Sequence, residues 1–250
     1  MQIIGKRIIR LPETDSTNLY AERLLQTSDA DEGTVVTTGF QTAGKGQGDN
    51  QWESERGKNL LVTVILKPVF IPAGAQFILN KAVTLALCDL LVALGIEPSV
   101  KWPNDIYAGG KKIAGILISH RVSGSKLEHT IVGIGLNLNQ EHFPPELANA
   151  VSVKTLTRVS QDPERMLDQL NRRLDYRYDL LRLGKSSRIE KDYLRLLQGL
   201  GRWLNYLDAD GTVEGKILGV DEFGRLIMKL RNGTKKIFSH GEITIPHAEF

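Results

Sequence analysis

The sequence has little cysteine and no long uninterrupted run of apolar residues. Cys88 is the single cysteine in the 250 residues, so the chain cannot form an internal disulfide, which is typical of proteins in a reducing cytoplasm. No apolar run reaches the ~18 residues that indicate a membrane-spanning helix, and the first residues lack the apolar segment of a signal peptide. We therefore expect a cytoplasmic protein with no membrane partner.

Several kinds of functional site are missing as well. The five histidines show no metal-ligand spacing and have no cysteine nearby, and no Gly-x-Ser-x-Gly nucleophile motif is present. The net charge is only +3, with no Lys/Arg tract dense enough to indicate nucleic-acid binding. These absences disfavour a zinc site, a serine hydrolase and a nucleic-acid-binding protein, whereas a mildly basic chain suits small anionic ligands.

The patterns that are present predict two domains. Residues 1–199 are typical of an α+β domain with one mixed sheet flanked by helices. Its strands are predicted at 3–10, 34–38, 60–66, 100–102, 106–107, 112–120 and 129–138. Its helices are predicted at 15–28, at 77–94, from Asp162-Pro163 onward, and from a Ser187/Glu190 capping box to about residue 197. The pattern of residues 200–250 predicts a small β-barrel, with turns at Asp210-Gly211, Gly224 and Asn232-Gly233.

A glycine-rich loop at residues 39–58 is the first candidate site. Its residues 39–46 nearly match the phosphate-binding pattern G-x-x-x-x-G-K-[ST]. Gly46 stands in place of the hydroxyl residue and no helix follows, which excludes a P-loop NTPase. The backbone N–H groups of Gly44 and Gly46, together with the cation of Lys45, still suit an anion. The alternative is a flexible surface loop.

Two further features add aromatic and polar side chains. Trp52, in the same loop, can stack on a nucleobase, close over an apolar ligand, or pin the loop to the core. Residues 101–105 read Lys-Trp-Pro-Asn-Asp, and Pro103 favours an extended residue before it. The turn then presents Asn104 and Asp105 together. An amide can bind an adenine edge or a phosphate, and a carboxylate can orient a lysine or a metal-bound water; the alternative is ordinary turn chemistry.

Glycines inside two adjacent predicted strands draw attention to Lys112. Most lysines at strand ends are simply solvated, but Lys112 opens an apolar strand that contains Gly115. Gly133 lies in the next strand. A glycine within a strand indicates close approach by a ligand or another backbone, so these strands leave room for a flat ligand between the sheet and the glycine-rich loop.

Clustered neutral polar groups precede the loop. Ser16, Thr17 and Asn18 offer hydroxyl and amide groups that can bind a neutral polar head such as a ureido ring, or can simply cap the first helix. Gln41 stands just before the loop and has no obvious structural duty. Cys88 differs from these residues because it lies in an apolar helix, where we interpret it as a core residue.

In this order, the motifs resemble those of the biotin protein ligases. The ordered set is Asp-Ser-Thr-Asn, Gln-x-x-Gly-Lys-Gly, Trp, Lys-Trp-Pro-Asn-Asp, Lys-Ile-Ala-Gly-Ile and Gly-x-Gly-x-Asn, and it spans residues 14–139. The resemblance implies a class II synthetase-like catalytic domain and a C-terminal SH3-like barrel. It also implies biotinyl-5′-AMP formation from biotin and Mg-ATP, then transfer of biotin to a lysine of a biotin carboxyl carrier domain. A homodimer is plausible on the same ground.

The resemblance also implies roles for individual residues. The biotin-binding set is Ser16, Thr17, Asn18, Gln41, Gly44, Lys112, Gly115 and Gly133. The ATP- and adenylate-binding set is Lys45, Gly46, Gln47, Trp52, Asn104 and Asn137. The catalytic set is Lys112, Lys45 and Asp105, and Lys112 is expected to bridge the biotin carboxylate and the α-phosphate. No metal ligands are assigned, although Mg²⁺ is expected with ATP.

Two departures from the family pattern lead to expectations. Many bacterial relatives have Gly-Arg-Gly-Arg in the loop, and Gln47 cannot supply the second positive charge. We therefore predict weaker adenylate retention, unless Arg56 or Lys58 substitutes; an adenylate off-rate unchanged in Gln47→Arg would contradict this. The first family motif begins at Asp15, which leaves no room before it for a DNA-binding domain, so no operator binding is expected.

Two other functions stay open at this point. A lipoate or octanoate ligase or transferase shares the fold class but lacks the clustered Lys-Trp-Pro-Asn-Asp and Gly-Lys-Gly motifs. A non-enzymatic binding module would tolerate Lys112→Ala. We also expect the loop at residues 41–58 to become ordered when biotin binds, which a loop equally sensitive to protease with and without biotin would contradict.

Overall fold

The computed structural model describes residues 2–27, 30–48, 50–209 and 211–245. The first domain is built on a seven-stranded sheet in the order β1-β2-β3-β7-β6-β5-β4. Its strands are β1 (Ile8–Leu11), β2 (Val35–Thr38), β3 (Leu60–Leu66), β4 (Pro98–Lys101), β5 (Asp105–Ala108), β6 (Lys111–Ser123) and β7 (Lys126–Leu136). Only β1 and β2 pair in parallel among these neighbours. The mixed sheet confirms the predicted fold class.

Helices cover this sheet and form the main core with it. They are α1 (Thr17–Gln26), α2 (Phe77–Ala93), α3 (Val153–Thr157), α4 (Pro163–Arg182) and α5 (Ser186–Leu196). Most of α2 is buried, including Cys88, as its apolar sequence predicts. The stretch Ala73–Ala93 is apolar enough by length and composition to cross a membrane, yet 67% of its most apolar window is buried inside the protein.

Several element boundaries differ from the predictions, each for a local reason. The first strand begins only at Ile8, because the amides of Ile3 and Ile4 donate to the Asp175 carboxylate instead of to a neighbouring strand. The capping box at Ser187 is wrong: α5 begins one residue earlier without a side-chain cap, and the Glu190 carboxylate binds Lys81. Helix α3 was not predicted, and Ser28 of the first predicted helix lies outside the described residues.

The C-terminal part forms a second, antiparallel sheet. Its strands are β8 (Trp203–Asp208), β9 (Gly211–Val220), β10 (Leu226–Leu230), β11 (Lys235–Phe238) and β12 (Ile243–Thr244), in the order β11-β10-β9-β8-β12. Turns follow Val220 and Leu230, near the predicted Gly224 and Asn232-Gly233 signals. Asp210 and residues 246–250 lie outside the described part. Within that part, β11 and β12 do not pair, so the sheet is SH3-like without closing into a barrel.

Buried polar contacts hold this C-terminal sheet, hereafter the C-terminal module, against the first domain. Lys81, in α2, is 3% exposed and binds both the Glu190 carboxylate and the carbonyl oxygen of Val220, at 2.6 and 3.2 Å. Its ammonium also lies 5.4 Å from the Phe77 ring centre. An unpaired ammonium would be costly to bury, so these contacts tie the module's position to the core of the first domain.

Candidate active site

A cavity of about 320 Å³ opens between the sheet, the glycine-rich loop and the C-terminal module. Thirteen of the fifteen predicted site residues line it: Ser16, Thr17, Asn18, Gln41, Lys45, Gly46, Gln47, Trp52, Asn104, Asp105, Lys112, Gly115 and Gly133. Gly44 and Asn137 do not. The structure therefore brings together segments that are up to about half the chain apart, around one space large enough for a small-molecule ligand.

The neutral side of the cavity is a continuous set of hydrogen bonds, the polar network, formed by Thr17, Asn18, Gln41 and Thr63. The Gln41 side-chain oxygen accepts from the Thr17 amide at 2.8 Å and from the Thr17 hydroxyl at 3.0 Å. The Thr63 hydroxyl lies 2.8 Å from the Thr17 hydroxyl and 2.6 Å from the Asn18 oxygen. These bonds fix polar groups of neutral side chains before any ligand binds.

Thr63 is the member of this network that the sequence analysis missed. It is fully buried in the middle of β3, where the other residues are aliphatic. It pairs with Gly133 of β7, and a side chain at Gly133 would meet the Asn18 amide group at 2.4 Å. Gly133 is therefore needed to admit Asn18. A single polar residue in an otherwise aliphatic strand was the available signal, but threonine is common in strands.

The charged side of the cavity is the cationic cluster, formed by Lys101, Asp105 and Lys112. The Lys112 ammonium lies 2.7 Å from the Asp105 carboxylate, and both side chains are about one-third exposed. In the β5–β6 hairpin Tyr107 pairs with Lys112 and Asp105 pairs with Gly115, and the register shifts between Ile106 and Tyr107. Burial lowers the pKa of Lys101, and the nearby Lys112 lowers it further while Asp105 opposes both.

Trp52 covers the floor between these two sides. Gly115 and Gly135 pair across β6 and β7, and the indole ring lies on them: a side-chain carbon at Gly135 would be 2.4 Å from the ring, and one at Gly115 would be 3.0 Å from it. The Lys112 ammonium is 5.9 Å from the ring centre. The flat group over the paired glycines is thus the protein's own indole. Its N–H is buried and has no acceptor among the described residues.

The remaining predicted residues have structural partners. The Asn104 side-chain nitrogen donates to the Ile116 carbonyl at 2.6 Å. Asn137 is buried and its amide donates to the Val151 carbonyl at 3.2 Å. Close packing requires glycine at position 44, because a side chain there would lie 2.4 Å from the Trp52 carbonyl oxygen.

Among the described residues of the glycine-rich loop, Lys45 is the one lysine or arginine that lines the cavity. Lys45 and Gln47 both line it, whereas Arg56 is paired with Glu13 and stacks on Phe40, with the guanidinium 4.3 Å from the ring centre. Lys58 does not line the cavity. Lys101, which is not among the predicted site residues, lines the cavity and adds a positive charge there. Arg56 and Lys58 are therefore not placed to supply the second positive charge that Gln47 lacks.

Comparison with known proteins agrees with this geometry. Residues 10–137 match the model of the biotin/lipoate A/B protein ligase family, and residues 200–245 match that of the biotin protein ligase C-terminal domain. The chain belongs to the biotin protein ligases. It is 33% identical over 230 residues to the biotin–[acetyl-CoA-carboxylase] ligase of Paracoccus denitrificans, covering 88% of this chain and 92% of that protein.

A second curated relative and a solved structure are also similar to this chain. The bifunctional ligase/repressor BirA of Bacillus spizizenii is 31% identical, covering 95% of this chain and 74% of that protein. The solved biotin protein ligase of Aquifex aeolicus in complex with biotin and ATP has a TM-score of 0.75 and 28% identity, covering 96% and 98% of the two chains. The confirmed family resemblance thus extends over both domains of the chain.

Proposed function

We propose that this protein activates biotin with ATP and transfers it to a lysine of a biotin carboxyl carrier domain. The observation that carries the proposal is that one cavity joins the neutral polar network to the cationic cluster. A ureido ring is neutral and needs fixed donors and acceptors, whereas a carboxylate and a triphosphate need positive charge. The neighbouring structure of a family member with biotin and ATP bound supports the same pair of ligands.

The polar network is suited to the biotin head. Ser16 and Thr17 add buried hydroxyl groups at the start of α1, and Gln41 and Asn18 add amides. A binding site made of prearranged neutral groups rejects ligands that cannot reproduce its hydrogen bonds, because buried polar groups would be left unpaired. Lipoate has no ureido ring, so this side of the cavity favours biotin.

The cationic cluster is suited to the first chemical step. A biotin carboxylate oxygen attacks the α-phosphorus of ATP, a P–O bond to the carboxylate forms, and pyrophosphate leaves with the electrons of the broken bond. The step brings two anions together, so a cation between them lowers the barrier. Lys112 is the side chain we assign to this place, with Asp105 holding its ammonium and Lys45 approaching from the loop.

The second step needs no group attached covalently to the enzyme. The amine of the carrier lysine attacks the acyl carbon of biotinyl-5′-AMP, an amide forms, and AMP leaves. Trp52, Gln47 and Asn104 are assigned to the adenylate side, and Trp52 would exclude water from the reactive anhydride. Cys88 takes no part, because burial raises the pKa of its thiol and it lies in the core.

Magnesium is proposed to arrive with ATP. Among the described residues no group of three or more histidine, cysteine, aspartate or glutamate side chains is placed to hold a metal ion. Asp105 is the one carboxylate that lines the cavity in the part of the chain described, and it is paired with Lys112. The residues present thus fit an ion held mainly by phosphate oxygens, which is how Mg²⁺ commonly binds beside ATP.

The test is pyrophosphate release from Mg-ATP with biotin, with lipoate, or with neither. Release that requires biotin, followed by a mass increase of one biotinyl group on a purified biotin carboxyl carrier domain, would establish both steps. Release with lipoate alone would assign the chain to the lipoate branch of the family. No release with either acid would reject the ligase assignment.

A further inference from the structure

The C-terminal module supplies part of the cavity wall. His240, Ile243, Thr244 and Ile245 line the cavity together with Trp102–Asp105 of the first domain. None of these four residues was predicted from the sequence. Because they lie more than a hundred residues beyond the cationic cluster in the chain, their place in the wall depends on how the module is held against the first domain.

One turn of the module makes several of the contacts that hold it. The turn, residues 221–225, lies between β9 and β10, and the Asp221 carboxylate accepts hydrogen bonds from the amides of Phe223 and Arg225 at 3.0 and 2.8 Å. Gly224 has φ +88°, and a side chain there would meet the Phe77 ring at 2.5 Å. The turn is thus fixed internally and fits closely against α2.

Trp102 joins this turn to the active site. Its indole N–H donates to the Gly224 carbonyl at 2.8 Å, its side chain is buried, and its ring centre lies 5.9 Å from that of His240. Two and three residues further along the chain, Asn104 binds the Ile116 carbonyl and Asp105 binds Lys112. One short segment therefore contacts the module on one side and holds the Lys112 ammonium on the other.

We propose that Trp102 is a positioning residue that holds the C-terminal module over the cationic cluster and so shapes the nucleotide side of the cavity. This inference rests on the proposed function. It assigns the module a share in ATP binding but none in recognition of the biotin head, because the polar network belongs to α1, β3 and the segment at Gln41, whereas the 221–225 turn bonds to Trp102 and packs against Phe77. A purely structural Trp102 would instead affect both ligands together or neither.

The test compares Trp102→Phe with Trp203→Phe. Phenylalanine keeps an aromatic ring, smaller than the indole, and removes the N–H donor, leaving the Gly224 carbonyl without that partner. Trp203 is a matched control because it lies in β8 of the same module, stacks on Arg231, and does not line the cavity. Calorimetry with a non-hydrolysable ATP analogue and, separately, with biotin gives each affinity without needing turnover.

For Trp102→Phe we expect the ATP-analogue affinity to fall about tenfold, as when a buried hydrogen-bond partner is left unsatisfied, with biotin affinity unchanged within error. Trp203→Phe should change neither. Gly224→Ala displaces the turn from Phe77 without changing a residue that lines the cavity, so it should also weaken ATP-analogue binding and leave biotin binding unchanged. The variant with both substitutions should lose no more ATP-analogue affinity than the single variant with the larger loss.

Equal losses for both ligands, or no loss in ATP affinity in either variant, would overturn the proposal. If Trp102→Phe does not fold, as judged by thermal unfolding, Gly224→Ala decides the question alone, and if that variant also fails, Trp102 is a structural residue and the proposal is rejected. Absence of biotin-dependent pyrophosphate release in the unmodified protein would reject the proposed function instead, which separates the two failures.

Discussion

The polar network and the cationic cluster lie in one cavity but are built differently. The network consists of neutral side chains that bind each other at 2.6–3.0 Å, with Thr63 fully buried at its centre. In the cationic cluster, the partly buried Lys112 ammonium lies 2.7 Å from the Asp105 carboxylate. Neutral groups can be buried if they satisfy each other, whereas desolvating charges is costly unless a ligand pairs with them.

The two sides should therefore respond differently to mutation. The polar network holds neutral groups in place before a ligand binds, so a change there should alter biotin affinity and leave ATP binding alone. The cationic cluster places two lysines and one carboxylate along the part of the cavity that we assign to the anionic groups, so changes there should affect the chemical step. Substitutions on each side of the cavity test this separation.

Lys112→Ala should give the largest effect. Removing one group that stabilises developing charge typically lowers kcat by roughly 10²–10³-fold, and we expect such a loss in biotin-dependent pyrophosphate release. Biotin affinity, measured by calorimetry, should change far less because the polar network is intact. The exposed neighbour Lys111 gives a matched control, since Lys111→Ala removes the same charge from outside the cavity. Equal activity of the two variants would contradict the role of Lys112.

Gly135→Ala tests whether Trp52 needs its place on the paired glycines. The added methyl group would lie 2.4 Å from the ring, so the indole must move, whereas at Gly115 the distance is 3.0 Å and a small shift suffices. Sterically forced shifts typically cost about 1–3 kcal/mol. We therefore expect adenylate to dissociate about tenfold faster in Gly135→Ala, and less so in Gly115→Ala, measured by stopped-flow tryptophan fluorescence. The reverse ranking would show that Trp52 binds elsewhere in the complex.

Thr63→Val removes the central hydroxyl of the polar network while keeping the side-chain volume. Losing a buried hydrogen-bond partner costs about 1–2 kcal/mol, so biotin affinity should fall about tenfold with KM for ATP unchanged. Thr37→Val is the matched control, because that buried threonine, on the neighbouring strand β2, donates only to the Leu61 carbonyl. If both variants weaken biotin binding equally, the effect is one of core stability rather than of the network.

The smallest expected effect is a pH dependence confined to the charged side. Lys101 has a lowered pKa because of burial and the nearby Lys112, so its ammonium loses a proton at a lower pH than an ordinary lysine. As pH rises through the alkaline range below 10.5, kcat/KM for ATP should fall, and Lys101→Arg should move that fall to higher pH. The polar network has no ionising side chain, so the affinity for biotinamide, which is neutral, should stay constant over the same range.

Much of the lining of the cavity could be predicted because its residues stand out locally. Lys112 before an apolar strand, Gly115 and Gly133 inside strands, and the Trp-Pro-Asn-Asp turn all depart from what a strand or turn requires by itself. The predicted set missed Thr63, because threonine is an ordinary residue in a strand, and it missed Lys101, because the lysine of a turn motif gives no sign of which way it faces.

Local spacing and ordered motifs were enough to predict the family, the buried helix α2 and the order of the strands and longer helices. The contacts of Thr63 with Thr17 and Asn18, of Trp52 with Gly115 and Gly135, and of the C-terminal module with the cavity could be found only in the tertiary structure. Those contacts join residues far apart in the chain, and their distances depend on strand register and on how two domains pack.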